Sequence, residues 1–258
     1  MADETAGREF EVREEIELPA SPEDVWAAIA TGPGIDSWFV GHMEVEPHEG
    51  GQASLAAMPG VTQQFTVTAW EPERHFAFRA DPGPDGAFMA FEYLVEGRGQ
   101  ATTVLRFVHS GFLAGDWDSE YDALSKGDRM YLAKLGSYLR YFPGQTAAFH
   151  VMCWGPQVAD AERVWPAFAA AAGLAGAGAS AREGDRGMVS IGRGAPAQAI
   201  VDYVAPSFLG VRTSDSLYRF IHGNQGTVVV EQHAFTGDGQ AREHAQGAWQ
   251  DWLAKTFA

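Results

Sequence analysis

Cysteine is almost missing from this chain. Cys153 is the only one in 258 residues, which excludes an intrachain disulfide and a cysteine-based zinc site. No run of about eighteen apolar residues occurs, so no segment is expected to span a membrane. The start, Met1 to Glu9, is polar and acidic and lacks the basic and apolar regions of a secretory signal. These absences predict a soluble, cytoplasmic protein. Positive charge is also short. The net charge is −16, and residues 1–145 hold 24 acids against 10 bases while residues 146–258 hold 10 against 8. Such a field repels phosphate backbones, so no nucleic-acid partner is expected. Nucleophile and phosphate-loop signatures are missing too. No serine has Gly-x-Ser-x-Gly spacing, and no glycine-rich turn carries the strand, lysine and helix of a phosphate loop.

What is there is said twice. Pro19-Ala20-Ser21-Pro22-Glu23-Asp24-Val25-Trp26 is answered by Val158-Ala159-Asp160-Ala161-Glu162-Arg163-Val164-Trp165. Each is an acidic helix start followed by Val-Trp. Thr103 to His109 is answered by Thr227 to His233, and each half closes on a helix-like stretch rich in Trp, Tyr and Leu. A period above one hundred residues is too long for a solenoid and indicates a duplicated domain. The expected division is residues 1–144 and 149–258, joined by Gln145 to Ala148.

In the first half, residues 10–18 alternate as a strand does. Ser21 is an N-cap, Pro22 suits the first helical position, and the acids complement the helix dipole. A second short helix carries Trp38 and Phe39. Strands are expected at 42–47, 51–57, 63–70, 74–80, 87–95 and 102–109, separated by Gly- and Pro-rich turns. A long helix follows over 118–142, with apolar residues at three- and four-residue steps. The second half predicts a strand near 148–154, a helix near 159–172 and the Gly/Ala stretch 173–179. Strands near 187–192, 197–204, 207–213, 216–222 and 226–235 come next, and a closing helix spans 240–257. It has no counterpart of Trp38-Phe39 and one strand fewer. The fold class is α+β: two domains, each a curved antiparallel sheet wrapped around a long C-terminal helix.

Alternation sends Phe76 and Phe78, Phe91 and Tyr93, and Leu105, Phe107 and His109 to one concave face. With Trp38, Phe39, Phe65, Trp117 and Tyr131 they form the candidate lining of a pocket for a hydrophobic or aromatic molecule. They also suit a closed core. His109, at the end of its strand, is either a polar anchor or a structural hydrogen-bonding group, and His233 is expected at the equivalent place of the second half. His42, Glu44, Glu46 and His48 alternate along one stretch, which fits a solvated strand face better than a metal site. Asp116, Asp118, Glu120 and Asp122 suit a helix start. Cys153 reads as a small buried hydrophobe. No metal, cofactor or catalytic residue is expected.

These motifs resemble the START-like, pollen-allergen-like helix-grip superfamily. Within it they are closest to the family named for the C-terminal domain of the heat-shock-protein-90 ATPase activator. The resemblance rests on residues 19–26, Trp38-Phe39, Gly50-Gly51, Trp70-Glu71-Pro72-Glu73-Arg74-His75-Phe76-Ala77-Phe78 and Thr103 to Phe112. It covers about residues 10–144, and more faintly the second half. It implies a fold and a cavity but not a reaction, because relatives include lipid carriers, polyketide cyclases and chaperone regulators. Fifteen arginines against three lysines, with Asn224 the only asparagine, read as the codon bias of a GC-rich genome, as in actinobacteria. Some actinobacterial relatives bind or sacrificially react with enediyne antibiotics. The expected function is therefore non-enzymatic binding of a small hydrophobic or aromatic natural product in the first domain. A polyketide cyclase or hydrolase using the same pocket is the alternative, and a chaperone-regulating module the third. Loss of the second helix in the second half favours self-association as a homodimer.

Overall fold

The structure is a computed structural model and describes residues 7–58, 60–99, 101–113, 117–174, 180–190, 192 and 195–258. Asp116 and residues 175–179 lie outside that set. The chain divides into two compact units, Met1–Thr146 and Ala147–Ala258.

In the first unit, β1 (Arg8–Leu18) leads into α1 (Pro22–Ala30) and α2 (Gly32–Ile35). The strands β2 (His42–Val45), β3 (Gln52–Met58), β4 (Val61–Glu71), β5 (His75–Arg79), β6 (Phe88–Gly97) and β7 (Thr103–Leu113) follow, and α3 (Trp117–Tyr141) closes the unit. Ser21 caps α1 by accepting the Asp24 N–H at 3.1 Å, a contact typically worth about 1 kcal/mol. The sheet is antiparallel in the order β1-β7-β6-β5-β4-β3-β2. β7 runs four residues past its expected end at His109, because Ser110 to Leu113 stay paired with β1. His109 is thus a mid-strand residue. Gly111 is required there, since a Cβ would lie 2.1 Å from the Phe88 carbonyl oxygen.

The second unit repeats the plan with β8 (Phe149–Gln157), α4 (Ala161–Ala171), β9 (Arg186–Val189), β10 (Ala197–Ala205), β11 (Phe208–Arg212), β12 (Ser216–His222), β13 (Thr227–Ala234) and α5 (Gly239–Phe257). Its sheet order is β8-β13-β12-β11-β10-β9, which is the first sheet without an equivalent of β2. Both sheets shift register in corresponding strands, between Val67 and Ala69 of β4 and between Val201 and Tyr203 of β10. Such bulges bend a strand and increase its twist, which curves each sheet over its closing helix. Val25 and Val164, the matching residues of α1 and α4, are fully buried.

The helices rest on their sheets differently. In α3 every buried residue lies at or beyond Met130, so residues 117–129 cover the sheet loosely. In α5 the buried residues Ala245, Trp249, Leu253 and Phe257 are spread along the helix and join one core with Phe168, Phe220 and Val230.

Candidate functional site

Three strands build an aromatic floor in the first unit. Phe78 of β5 is the register partner of Phe91 of β6, which is the partner of His109 of β7, which is the partner of Val12 of β1. The next row holds Phe76, Tyr93, Phe107 and Glu14. Phe91 stacks on His109 at 4.3 Å, Phe78 on Phe91 at 5.1 Å, and Tyr93 lies 5.1 Å from Phe107. Phe10 meets the His109 ring edge-on at 5.0 Å. Rings at these separations interact beyond their burial by about 0.5–1.5 kcal/mol.

His109 is the polar member of its row and is 2% exposed. Its Nδ1 lies 3.0 Å from Oδ2 of Asp128, on α3. An ionised carboxylate only accepts, so chemistry assigns the proton to Nδ1 and leaves Nε2 with a lone pair in the neutral ring. Nε2 is buried and has no hydrogen-bond partner among the described residues. The next residue of α3, Arg129, donates to Glu14 of β1 at 2.6 Å. One turn of α3 is thus tied to two strands by polar contacts. Tyr93 sits in the neighbouring row, where burial first, and the Asp128 charge second, hold its phenol well above the usual tyrosine range. A held imidazole with a spare acceptor, in an aromatic site, can anchor a ligand hydroxyl or take its proton.

Asp128 is the residue that the motifs missed. Its signal was its place on the buried face of the helix: Tyr121, Leu124, Asp128, Tyr131, Leu135 and Tyr138 step by three and four, and only the aspartate is charged.

The other candidates fall into separate groups. Phe65 meets Phe78 at 5.2 Å and extends the floor. It also lines a cleft of about 340 Å³ with Gln52, Gln63, Gln64, Thr66, Asp81 and Phe88, a lining of mixed polar and apolar character. Phe39 packs between Trp38 at 5.4 Å and Tyr131 at 4.7 Å. Trp38 and Phe39 lie in the turn beyond α2, which ends at Ile35, and not in that helix as expected; the Trp38 indole donates to the Ala28 carbonyl at 2.9 Å and so fastens this turn to α1. Trp117 stacks on Tyr121 at 4.8 Å beside Phe10 and Leu124. Met89, Phe91, Trp117, Tyr121, Leu124 and Tyr131 are only half-buried, so the floor is least sealed under residues 117–131 of α3. His42, Glu44, Glu46 and His48 do not converge. β2 ends at Val45, and Asp36 holds His42 while also accepting the Met43 N–H. Cys153 is buried, and burial pushes its thiol up.

The expectation for His233 is corrected. β13 alternates regularly with Val228, Val230 and Gln232 on one face, one residue out of step with the sequence echo, and an offset of one residue exchanges the two faces of a strand. Val228 and Val230 enter the core under the helix, and Gln232 accepts from the Trp249 indole of α5 at 3.1 Å. Gln232, not His233, is the counterpart of His109. Its amide nitrogen lies 3.3 Å from the Tyr218 hydroxyl, so both ends of the amide are engaged. Glu231 and His233 point to the opposite face, where His233 pairs across the strands with His150.

A curved antiparallel sheet closed by a C-terminal helix, with two helices after its first strand, defines the first unit as a START-like helix-grip domain. Residues 9–134 match the family described as polyketide cyclase/dehydrase and lipid transport, which fits that class of fold. No curated protein matches the chain. Three solved structures to which it is similar are the di-domain aromatase/cyclase BexL of the BE-7585A biosynthetic pathway, DynU16 of the dynemicin biosynthetic locus, and the Aha1 dimer of Colwellia psychrerythraea. BexL is 15% identical, with 94% of each chain covered and a TM-score of 0.47. DynU16 is 17% identical, with 94% of this chain and 95% of that one covered and a TM-score of 0.45. The Aha1 structure is 20% identical over 50% of this chain and 96% of that one, with a TM-score of 0.41. At these identities nothing about activity is carried across. Among the described residues no helix is long and apolar enough to cross a membrane.

Proposed function

We propose that the first unit binds a small hydrophobic or aromatic ligand of the polyketide-derived class against the floor of β5, β6 and β7, with His109 Nε2 as its polar contact. The observation that carries this reading is the buried His109, fixed by Asp128 through Nδ1 and with no partner at Nε2 among the described residues. A buried acceptor without a donor costs about 1–3 kcal/mol, and a ligand hydroxyl under α3 would remove that cost. The half-buried rings beneath residues 117–131 mark the side on which such a ligand enters. Phe39 and Tyr131 stand at that side, and Phe76, Phe78, Tyr93 and Phe107 form the apolar bed. The match of residues 9–134 to the family described as polyketide cyclase/dehydrase and lipid transport supports the ligand class. Native mass spectrometry with a hydroxylated anthraquinone tests the proposal. One added mass per chain is expected, with occupancy reduced at least tenfold in His109→Ala. Equal occupancy in both proteins contradicts it.

A second reading is catalytic: the same ligand undergoes proton transfer at His109, as in a cyclase. The carboxylate-held imidazole favours it, since this arrangement fixes the tautomer of a general base. Turnover of a poly-β-keto substrate, with a pH dependence lost in His109→Ala, supports the enzyme. Binding without turnover leaves the carrier.

A further inference from the structure

The face of the second sheet opposite its helices holds charge that the ligand site does not use. Arg219 of β12 forms a two-pronged pair with Asp202 of β10, with Nη1 and Nη2 each 3.0 Å from a carboxylate oxygen. Arg219 is also the register partner of Glu231 on β13. Glu231, fully buried on the neighbouring strand, adds a second carboxylate to this face.

Two imidazoles converge on that carboxylate. His150 Nε2 lies 3.1 Å from Glu231 Oε1, and His233 Nδ1 lies 3.9 Å from the same oxygen. His150 and His233 are direct cross-strand partners, with ring centroids 4.3 Å apart. One ligand atom from each of the three residues lies within 4.8 Å of the other two. A four-coordinate zinc ion with ligands at about 2.0–2.2 Å holds them roughly 3.3 Å from one another, so side-chain rotations of about an ångström close the set on a metal. Adjacent strands supply all three groups, and paired strands are a rigid base for a metal site.

From this juxtaposition we propose that His150, Glu231 and His233 form a binding site for a divalent transition metal of the zinc type. Two imidazoles and a carboxylate are a borderline-soft set that suits zinc rather than calcium or magnesium. The His150 side chain keeps 15% of its surface exposed, which gives an ion a way in. Three protein ligands with one open position is the pattern of a reactive rather than a purely structural zinc.

The full chain, stripped with a chelator and dialysed, is titrated with zinc chloride by calorimetry and with cobalt chloride by visible absorption. The expected result is one equivalent bound per chain at micromolar affinity or tighter, with a cobalt band typical of four or five ligands. His150→Gln alters a partly exposed strand residue and preserves polarity, so it should fold. It is expected to weaken zinc at least tenfold, as is Glu231→Gln, while His42→Ala in the first unit leaves binding unchanged. Absence of a one-to-one zinc isotherm in the folded wild type overturns the proposal. So does an isotherm that His150→Gln and Glu231→Gln leave unchanged. Either result would make the cluster a hydrogen-bonded triad with a shared proton.

Discussion

On both sheets, the strand that pairs with the first strand of its unit presents one polar side chain to the closing helix. In the first unit this is His109 against Asp128. In the second it is Gln232 against Trp249. The ring directly across the strands differs: Tyr218 pairs with Gln232, whereas Phe91 pairs with His109 and Tyr93 lies one row further on. The outcome differs because glutamine uses its oxygen on the indole and its nitrogen on Tyr218, whereas the histidine spends one nitrogen on Asp128 and keeps the other. The helix follows suit: α5 buries side chains from Ala245 to Phe257, while α3 buries them only from Met130 onward and is tied before that point by the polar contacts of Asp128 and Arg129. One scaffold has thus been finished as a closed core and once left with an unmet polar group under a loosely seated helix. The fold is common to both units and does not by itself set a function.

The largest test of the contrast is Trp249→Ala. Removing this almost fully buried ring and its bond to Gln232 should cost the second unit about 3–5 kcal/mol, read from the denaturant midpoint. A loss below about 1 kcal/mol would mean that α5 does not seal the sheet. Next comes alkaline pH. Burial pushes the Tyr218 phenol up to about 12, from about 10 in the unfolded chain. The folded state therefore favours the neutral form. Its contribution is whole below pH 10 and declines by about 2–3 kcal/mol as the pH rises to about 12. Tyr218→Phe should flatten that decline, and an unchanged slope would contradict the burial argument. Asp128→Ala comes third. It leaves His109 buried without its fixed partner and should cost about 1–2 kcal/mol, while Asp128→Asn, which keeps a carbonyl acceptor, costs less. At the small end, Lys126→Ala removes the Lys126–Asp122 pair on the exposed side of α3 and should change stability by less than about 0.5 kcal/mol. A larger loss would show that the first half of α3 is held more firmly than its burial indicates.

Much of this was readable beforehand, for physical reasons. Helix starts such as Ser21-Pro22-Glu23-Asp24 and turns rich in Gly and Pro are local chemistry, so the elements of both units fall close to their expected places. The strand alternation that brings Phe76, Tyr93 and Phe107 together is also local. The His109–Asp128 contact was half-legible, since a lone aspartate on an apolar helix stripe is visible, but its strand partner is not. The face of β13 was illegible. The echo between Thr103–His109 and Thr227–His233 predicts the same side chains inward, but β13 packs with the alternate set, Val228, Val230 and Gln232, under its helix. Nor could spacing join His150 to Glu231, which lie 81 residues apart and meet only through β8–β13 pairing.

The central claim is that the unmet nitrogen of His109, and not its glutamine counterpart, makes the ligand site. Equilibrium titration of a hydroxylated anthraquinone, followed by tryptophan fluorescence, into the wild type, His109→Ala and Gln232→Ala tests it most directly. The account predicts one site per chain, weakened at least tenfold by His109→Ala and unchanged by Gln232→Ala in a folded protein. Equal weakening by both substitutions, or by neither, would contradict it.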